Sequence, residues 1–364
     1  MGLFILLVGA GLSAGPVVGG VLVSEFGWRS VFFASVPFGL IALLSTQSVL
    51  DVGQVSSATK PGRFKFDWAG ASLSSGALVS FLLGMTNGHR FGWDSIVIIS
   101  SFAASIVLMT VFVWWQLRAR EPMLDLSLFR SRLFSMGISA RLMLFLGGSA
   151  VFFLMPFYLI EVLGYEARVA GLLTVPSAVG MGVMGITAGR LSDTLGTRWL
   201  SVTGLLVMAA GMFILAQLDV DTSAGYVVLG MALTGAGEGL FTSPNFSALM
   251  GSQSRERYGI VSAFLHLTRN GGSAIGVALA TTIVTVTMSS LGFEPSLSAA
   301  AEVEGEGVRL AFISGLNKAY LVGGGLMLLA TVMAILQGEG RRSEPASQRP
   351  ERVHHSPISV AEKK

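Results

Sequence analysis

Runs of about twenty apolar residues recur along this chain, each long enough to cross a hydrocarbon layer of roughly 30 Å as a helix. They fall at Gly2–Leu22, Val31–Leu50, Trp68–Thr86, Ser95–Trp115, Ser135–Ile160, Val169–Gly189, Trp199–Leu218, Tyr226–Met250, Gly259–Met288 and Asn317–Leu336. In lipid such segments satisfy their backbone polar groups internally, so separate runs of this length predict helices rather than open sheets. The fold class is therefore all-α: a polytopic membrane protein with ten predicted transmembrane helices. Composition agrees, because 52% of the residues are hydrophobic and only 12% are charged, about half the charge of a soluble domain.

Charges in the connections set the parity of the crossings, since cytoplasmic loops collect Lys and Arg. Connections two, four, six and eight carry Lys60, Arg63 and Lys65, then Arg118, Arg120, Arg130 and Arg132, then Arg190 and Arg198, then Arg255 and Arg257. The intervening connections favour acids, among them Glu25, Asp94, Glu161, Glu166, Asp219, Asp221, Glu302 and Glu304. Both termini are expected in the cytoplasm. The net charge of +3 resides in these loops rather than in one stripe, so it reads as a topology signal and not as a nucleic-acid surface. With no cysteine in the chain, there is neither a disulfide framework nor a thiolate metal site; no metal and no cofactor is expected.

The ends differ in kind. Met1 opens directly onto an apolar run with no basic leader or cleavage site, so no removable signal peptide is expected and the chain reads as starting in mid-protein. Residues 337–364, rich in Arg, Glu, Ser and Pro, read as a disordered cytoplasmic tail. The external connection Ser290–Arg309 is read as holding a short interfacial helix, and the length of Gly259–Met288 as an interfacial turn or a tilt.

Three motifs carry a resemblance. In the first span Gly11, Gly15, Gly19 and Gly20 expose bare backbone to a neighbouring helix, and Pro16 removes one backbone hydrogen bond. With the following Gly27-Trp28-Arg29, this segment resembles the antiporter signature of helix five in major facilitator exporters. Phe66-Asp67-Trp68-Ala69-Gly70 and Glu121-Pro122-Met123-Leu124-Asp125-Leu126 are similar to the entry and exit of the extra helix pair in the fourteen-helix drug:proton antiporter branch. Gly189, Arg190, Asp193, Gly196 and Arg198 resemble the cytoplasmic loop of the family's C-terminal half. There Asp193 is placed to cap the next helix or pair with Arg190 or Arg198, and the two glycines permit a sharp reversal. The loop departs from the family at Thr194 and Thr197, where basic residues are usual.

The resemblance implies a major-facilitator-type helical bundle, truncated at its N-terminus by four helices. Residues 1–50 would be the last two helices of an incomplete N-terminal bundle, 51–133 the extra pair with its linkers, 134–336 a C-terminal six-helix bundle and 337–364 the tail. It also implies proton-coupled export of drugs or small lipophilic or cationic metabolites across a bacterial plasma membrane. The partners would be a small-molecule substrate, protons and the bilayer, and the cavity would be lined mainly by Ser135–Ile160, Val169–Gly189 and Gly259–Met288.

Charged groups deep inside spans cost a few kcal/mol unless paired or wetted, so they mark function by default. Glu238, midway along Tyr226–Met250 and flanked by Gly237 and Gly239, is the candidate to take and release a proton; a static ion pair is the alternative. Arg269, in a stretch with Gly272 and Gly276 that resembles helix thirteen of the family, reads as a structural brace. Arg141, two turns from the end of its span, is placed to snorkel to the interface, and His266, one turn from Arg269, to relay protons.

Two enzyme-like patterns are misplaced. Gly11-Leu12-Ser13-Ala14-Gly15 matches the hydrolase elbow, but that motif needs a strand-to-helix turn; an intramembrane serine protease using Ser13 and His266 stands only as a minor alternative. Gly180-Met181-Gly182-Val183-Met184-Gly185 lacks the preceding strand of a dinucleotide site and reads as a close-packing face. A further alternative is a truncated, non-transporting remnant or accessory membrane subunit.

Overall fold

The computed structural model describes residues 11, 15, 18–23, 25–49, 67–119, 122–254, 257–293 and 306–338. Among them nine helices are long and apolar enough to span a membrane. We label them α1 (Arg29–Val49), α2 (Trp68–Phe91), α3 (Ile96–Arg118), α4 (Arg132–Phe157), α5 (Ala167–Leu195), α6 (Thr197–Leu215), α7 (Ala224–Gly251), α8 (Tyr258–Ser290) and α9 (Glu306–Leu336). Most of the first expected span, with Ser13 and Pro16, lies outside the described residues, as do Lys60, Arg63, Lys65 and residues 339–364.

Local chemistry sets the helix ends. Asp67, Ser95 and Ser131 accept from the N–H three residues on, at Gly70, Ile98 and Phe134, which satisfies orphan donors of the first turn. Pro156 near the end of α4 lacks the N–H of a regular turn, and the chain runs on as a π-helical turn, Tyr158–Val162. The connection expected at Gly189–Arg198 is shorter than a loop. Helix α5 continues to Leu195 and only Gly196, at φ +83°, intervenes before α6. Gly189 is thus helical, and a Cβ there would sit 3.0 Å from the Ser243 hydroxyl; its use is close packing, not reversal. Asp193 falls in the last turn of α5.

Two other expectations sharpen or change. Helix α8 is one continuous helix of 33 residues, about 50 Å at 1.5 Å per residue, so of the turn and the tilt only the tilt remains. Helix α9 starts at Glu306, so Arg309 belongs to it rather than to a connection, and residues 294–305 lie outside the described set.

Helices α4 to α9 pack together. Helix α7 lies between α5 and α6, α9 bridges α6 to α4, and α8 closes on α4 and α9. Glycines bring backbones into contact at these seams. Gly235 and Gly239 of α7 face the carbonyls of Ser177 and Met181 on α5, and Gly237 faces Gly204 and Met208 on α6. Gly276 of α8 faces the carbonyl of Leu146, and Gly147 faces Gly323. The main core runs through these helices around Leu144, Leu154, Tyr158, Met208, Met212, Phe312 and Tyr320.

Helices α2 and α3 form a hairpin, with the Ser105 hydroxyl donating to the Ala77 carbonyl at 2.8 Å. It docks on α8, where Thr282 donates to the carbonyl of Met85. A second core joins Phe112 of the hairpin to Leu128, Phe134, Leu249, Val261 and Phe264. These contacts gather one end of the molecule, where Arg257 also pairs with Asp125 at 3.6 Å. Connections four and eight, expected on the same membrane face, thus share one end of the bundle.

Candidate functional site

Helices α4, α5, α7 and α8 enclose a cavity of about 460 Å³, within the few hundred to a thousand typical of small-molecule sites. All four intramembrane candidates line it: Arg141 from α4, Glu238 from α7, and His266 and Arg269 from α8. They converge by helical arithmetic. Arg269, Gly272 and Gly276 share one face of α8, and the two glycines seat that face on Leu142, Phe145 and Leu146 of α4, carrying Arg269 toward Arg141. Gly237 and Gly239, on either side of Glu238, press the α7 backbone against α6 and α5 and so fix where the carboxyl sits.

Arg141 does not snorkel. It is only 5% exposed; its Nε donates to the Leu265 carbonyl at 3.4 Å, and its Nη1 is buried without a partner. Its guanidinium lies 5.0 Å from the centre of the Phe145 ring, and that of Arg269 lies 5.9 Å from the same ring, so one aromatic π-system supports two cations. Glu238, 9% exposed, lies within electrostatic reach of both arginines. Among the described residues, however, no ion pair within 4.0 Å joins it to either; the only such pair is Arg257–Asp125. That is not the geometry of a static salt bridge, nor does it make Arg269 a brace through an acid.

Several lining residues escaped the reading of the sequence. Phe145, Met181, Thr242, Ser243, Phe246, Ser247 and Ser262 also line the wall, and α7, absent from the expected lining helices, supplies much of it. Helical spacing carries the missing signal: Phe145 follows Arg141 by four, Thr242 follows Glu238 by four, and Ser262, His266 and Arg269 fall at i, i+4 and i+7.

The other motifs lie away from the cavity. A Cβ on Gly20 would sit 3.2 Å from the Ala167 carbonyl at the start of α5, whereas Gly11, Gly15 and Gly19 have no such neighbour among the described residues. Arg190 is exposed and Arg198 stacks on Trp199 at 5.6 Å. The entry and exit of the helix pair meet directly. Asp67 accepts from the Trp115 indole at 2.9 Å and the Gln116 amide at 2.8 Å, and Gln116 in turn accepts from the Leu124 N–H. Burial works to raise the Asp67 carboxyl, but hydrogen bonds from Gly70, Trp115, Gln116 and the Met123 backbone outweigh it and hold the group below its ordinary value.

Apolar helices long enough to span a membrane, packed around an internal cavity with charged and hydroxyl side chains, define a polytopic helical membrane protein. Residues 64–277 and 138–362 match the Major Facilitator Superfamily, and the chain belongs to that family. It is 28% identical over 300 residues to the multidrug resistance protein Stp of Mycobacterium tuberculosis, an alignment covering 82% of this chain and 55% of that one. It is 30% identical over 279 residues to the multidrug transporter protein MdtP of Bacillus subtilis, covering 76% and 51%. To the uncharacterized transporter YebQ of Escherichia coli it is 34% identical over 324 residues, covering 87% and 67%. The chain thus spans about half the length of the first two relatives. Among solved structures, a bacterial homolog of the human lysosomal transporter Spinster, inward-facing and occupied, aligns with a TM-score of 0.48 and 21% identity, covering 74% of this chain and 65% of that one.

Proposed function

We propose that the protein is the cavity-bearing part of a proton-coupled exporter of small amphipathic molecules, of the fourteen-helix branch, working by alternating access in a bacterial plasma membrane. Its termini would face the cytoplasm, with residues 134–336 as the C-terminal bundle and the hairpin of α2 and α3 as the extra pair. The observation that carries this reading is an acid at mid-span, Glu238, sharing one cavity with Arg141, Arg269 and His266 and locked to none of the basic groups. In this reading Glu238 takes and releases the proton, while the arginines and the histidine set the potential around it. Phe145, Met181 and Phe246 contact the apolar body of the cargo. The multidrug names of the relatives Stp and MdtP support efflux as the direction.

The test is uptake of labelled amphipathic compounds into inverted vesicles at pH 6, 7 and 8. Wild-type transport should change with pH and Glu238→Gln transport should not; a variant that keeps the wild-type pH dependence overturns the proton-carrier role. Wild-type chain that inserts but moves no compound counts against this chain transporting by itself.

A further inference from the structure

The cavity holds more positive charge than its own acid can balance. Arg141 and Arg269 contribute two fixed cations, since a guanidinium does not lose its proton in a protein, and Glu238 contributes at most one negative charge. Among the described residues no carboxylate oxygen lies within 4.0 Å of either guanidinium. Arg141 is the more exacting group, because it is buried, spends its Nε on a long bond to the Leu265 carbonyl, and keeps Nη1 unpartnered. A buried donor left without an acceptor costs free energy, and a charged one costs more. The site therefore lacks an oxygen.

We propose that Arg141, assisted by Arg269 across the Phe145 ring, binds an oxyanion on the transported molecule, so that the cavity takes aromatic or aliphatic carboxylates ahead of cations of the same shape. The guanidinium fork matches a carboxylate edge in geometry as well as charge. One monoanion also brings the three charged groups to neutrality when Glu238 is ionised. An ammonium would meet two cations, and the Phe145 ring already serves both arginines. Met181, Phe246 and Leu265 form an apolar wall for the rest of the ligand. The inference rests on the cavity being the transport site.

The test uses the full chain in detergent and three probes of one shape: 2-naphthoate, neutral 2-naphthamide and 2-naphthylmethylammonium. Naphthoate should bind about tenfold or more tighter than the ammonium, the scale of one hydrogen bond to a charged group. Arg141→Gln should remove that preference and leave naphthamide within about twofold, which also reports that the variant is folded. Arg141→Lys, keeping charge without the fork, should fall between the two, and Arg269→Gln should weaken naphthoate more than naphthamide. Ser262→Trp, which fills the cavity, should abolish binding of all three. If this filled variant still binds the probes, or if wild type binds none, the cavity is not the transport site and both readings fall. If Ser262→Trp blocks binding but the ammonium binds as tightly as naphthoate, or Arg141→Gln keeps the preference, the oxyanion inference alone is overturned.

Discussion

Gly235, Gly237 and Gly239 lie along one turn of α7 and meet backbone atoms of two different helices, so a single methyl group has nowhere to go at any of them. Gly237→Ala is expected to cost about 1–3 kcal/mol through overpacking, seen as a lower unfolding midpoint in detergent. Gly271→Ala faces open space on α8; it should be neutral or stabilising by up to about 1 kcal/mol, since alanine is the better helix former. Asp67 makes a second prediction at this scale. Its folded value lies below the ordinary 3.8, so its stabilisation is full above that pH and fades as pH falls through the lowered value. Amide protection at the start of α2, taken relative to the intrinsic exchange rate, should fall over that acid window in wild type and stay constant in Asp67→Asn. Glu238, Arg141, Arg269 and His266 were legible in the sequence because a charged or titratable group in an oily run stands out on cost alone. Ser243, Ser247 and Ser262 were not, because hydroxyls are common in spanning helices, where many bond to a carbonyl of the preceding turn, as Thr203 and Thr268 do. Nor does anything in composition pick Phe145 out of twenty-three phenylalanines.

The hairpin of α2 and α3 is tied at its base by three groups from separate stretches of sequence: the Asp67 carboxylate, the Gln116 amide and the Leu124 N–H. Groups in one network do not act independently. Asp67→Ala, which also removes the α2 cap, should cost about 0.5–2 kcal/mol, and a double variant with Gln116→Ala should cost less than the two single losses combined. Thermal unfolding of the four proteins in detergent checks this, and simple additivity would remove the network. Both flanking motifs could be read in the sequence, whereas Gln116, which joins them, sits in the last turn of an apolar helix and shows its partners only after folding. Element ends were the least legible feature. The α9 helix begins at Glu306, eleven positions before the apolar run at Asn317, because helix continues as long as its backbone pairs and its exposed turn tolerates charge.

Parity of charge in the connections is a property of the whole molecule: one misplaced span between Asp125 and Arg257 would have put them at opposite ends instead of 3.6 Å apart. The absence of cysteine makes the corresponding test direct. Thr194→Cys and Ser254→Cys should react with an impermeant maleimide from one side of the membrane only, and Glu166→Cys and Asp221→Cys only from the other. Labelling of Thr194→Cys and Ser254→Cys from opposite sides would overturn the arrangement.

The glycine seams of α7 also govern how the cavity can change shape. Where main chain rests on main chain there are no rotamers to repack, so α5, α6 and α7 are geared together and shift as one block. Helix α7 meets α4 and α8 only sparsely by comparison. Any widening or narrowing around Glu238 must then be taken up along that looser seam, which draws Arg141 and Arg269 away from the acid or toward it together.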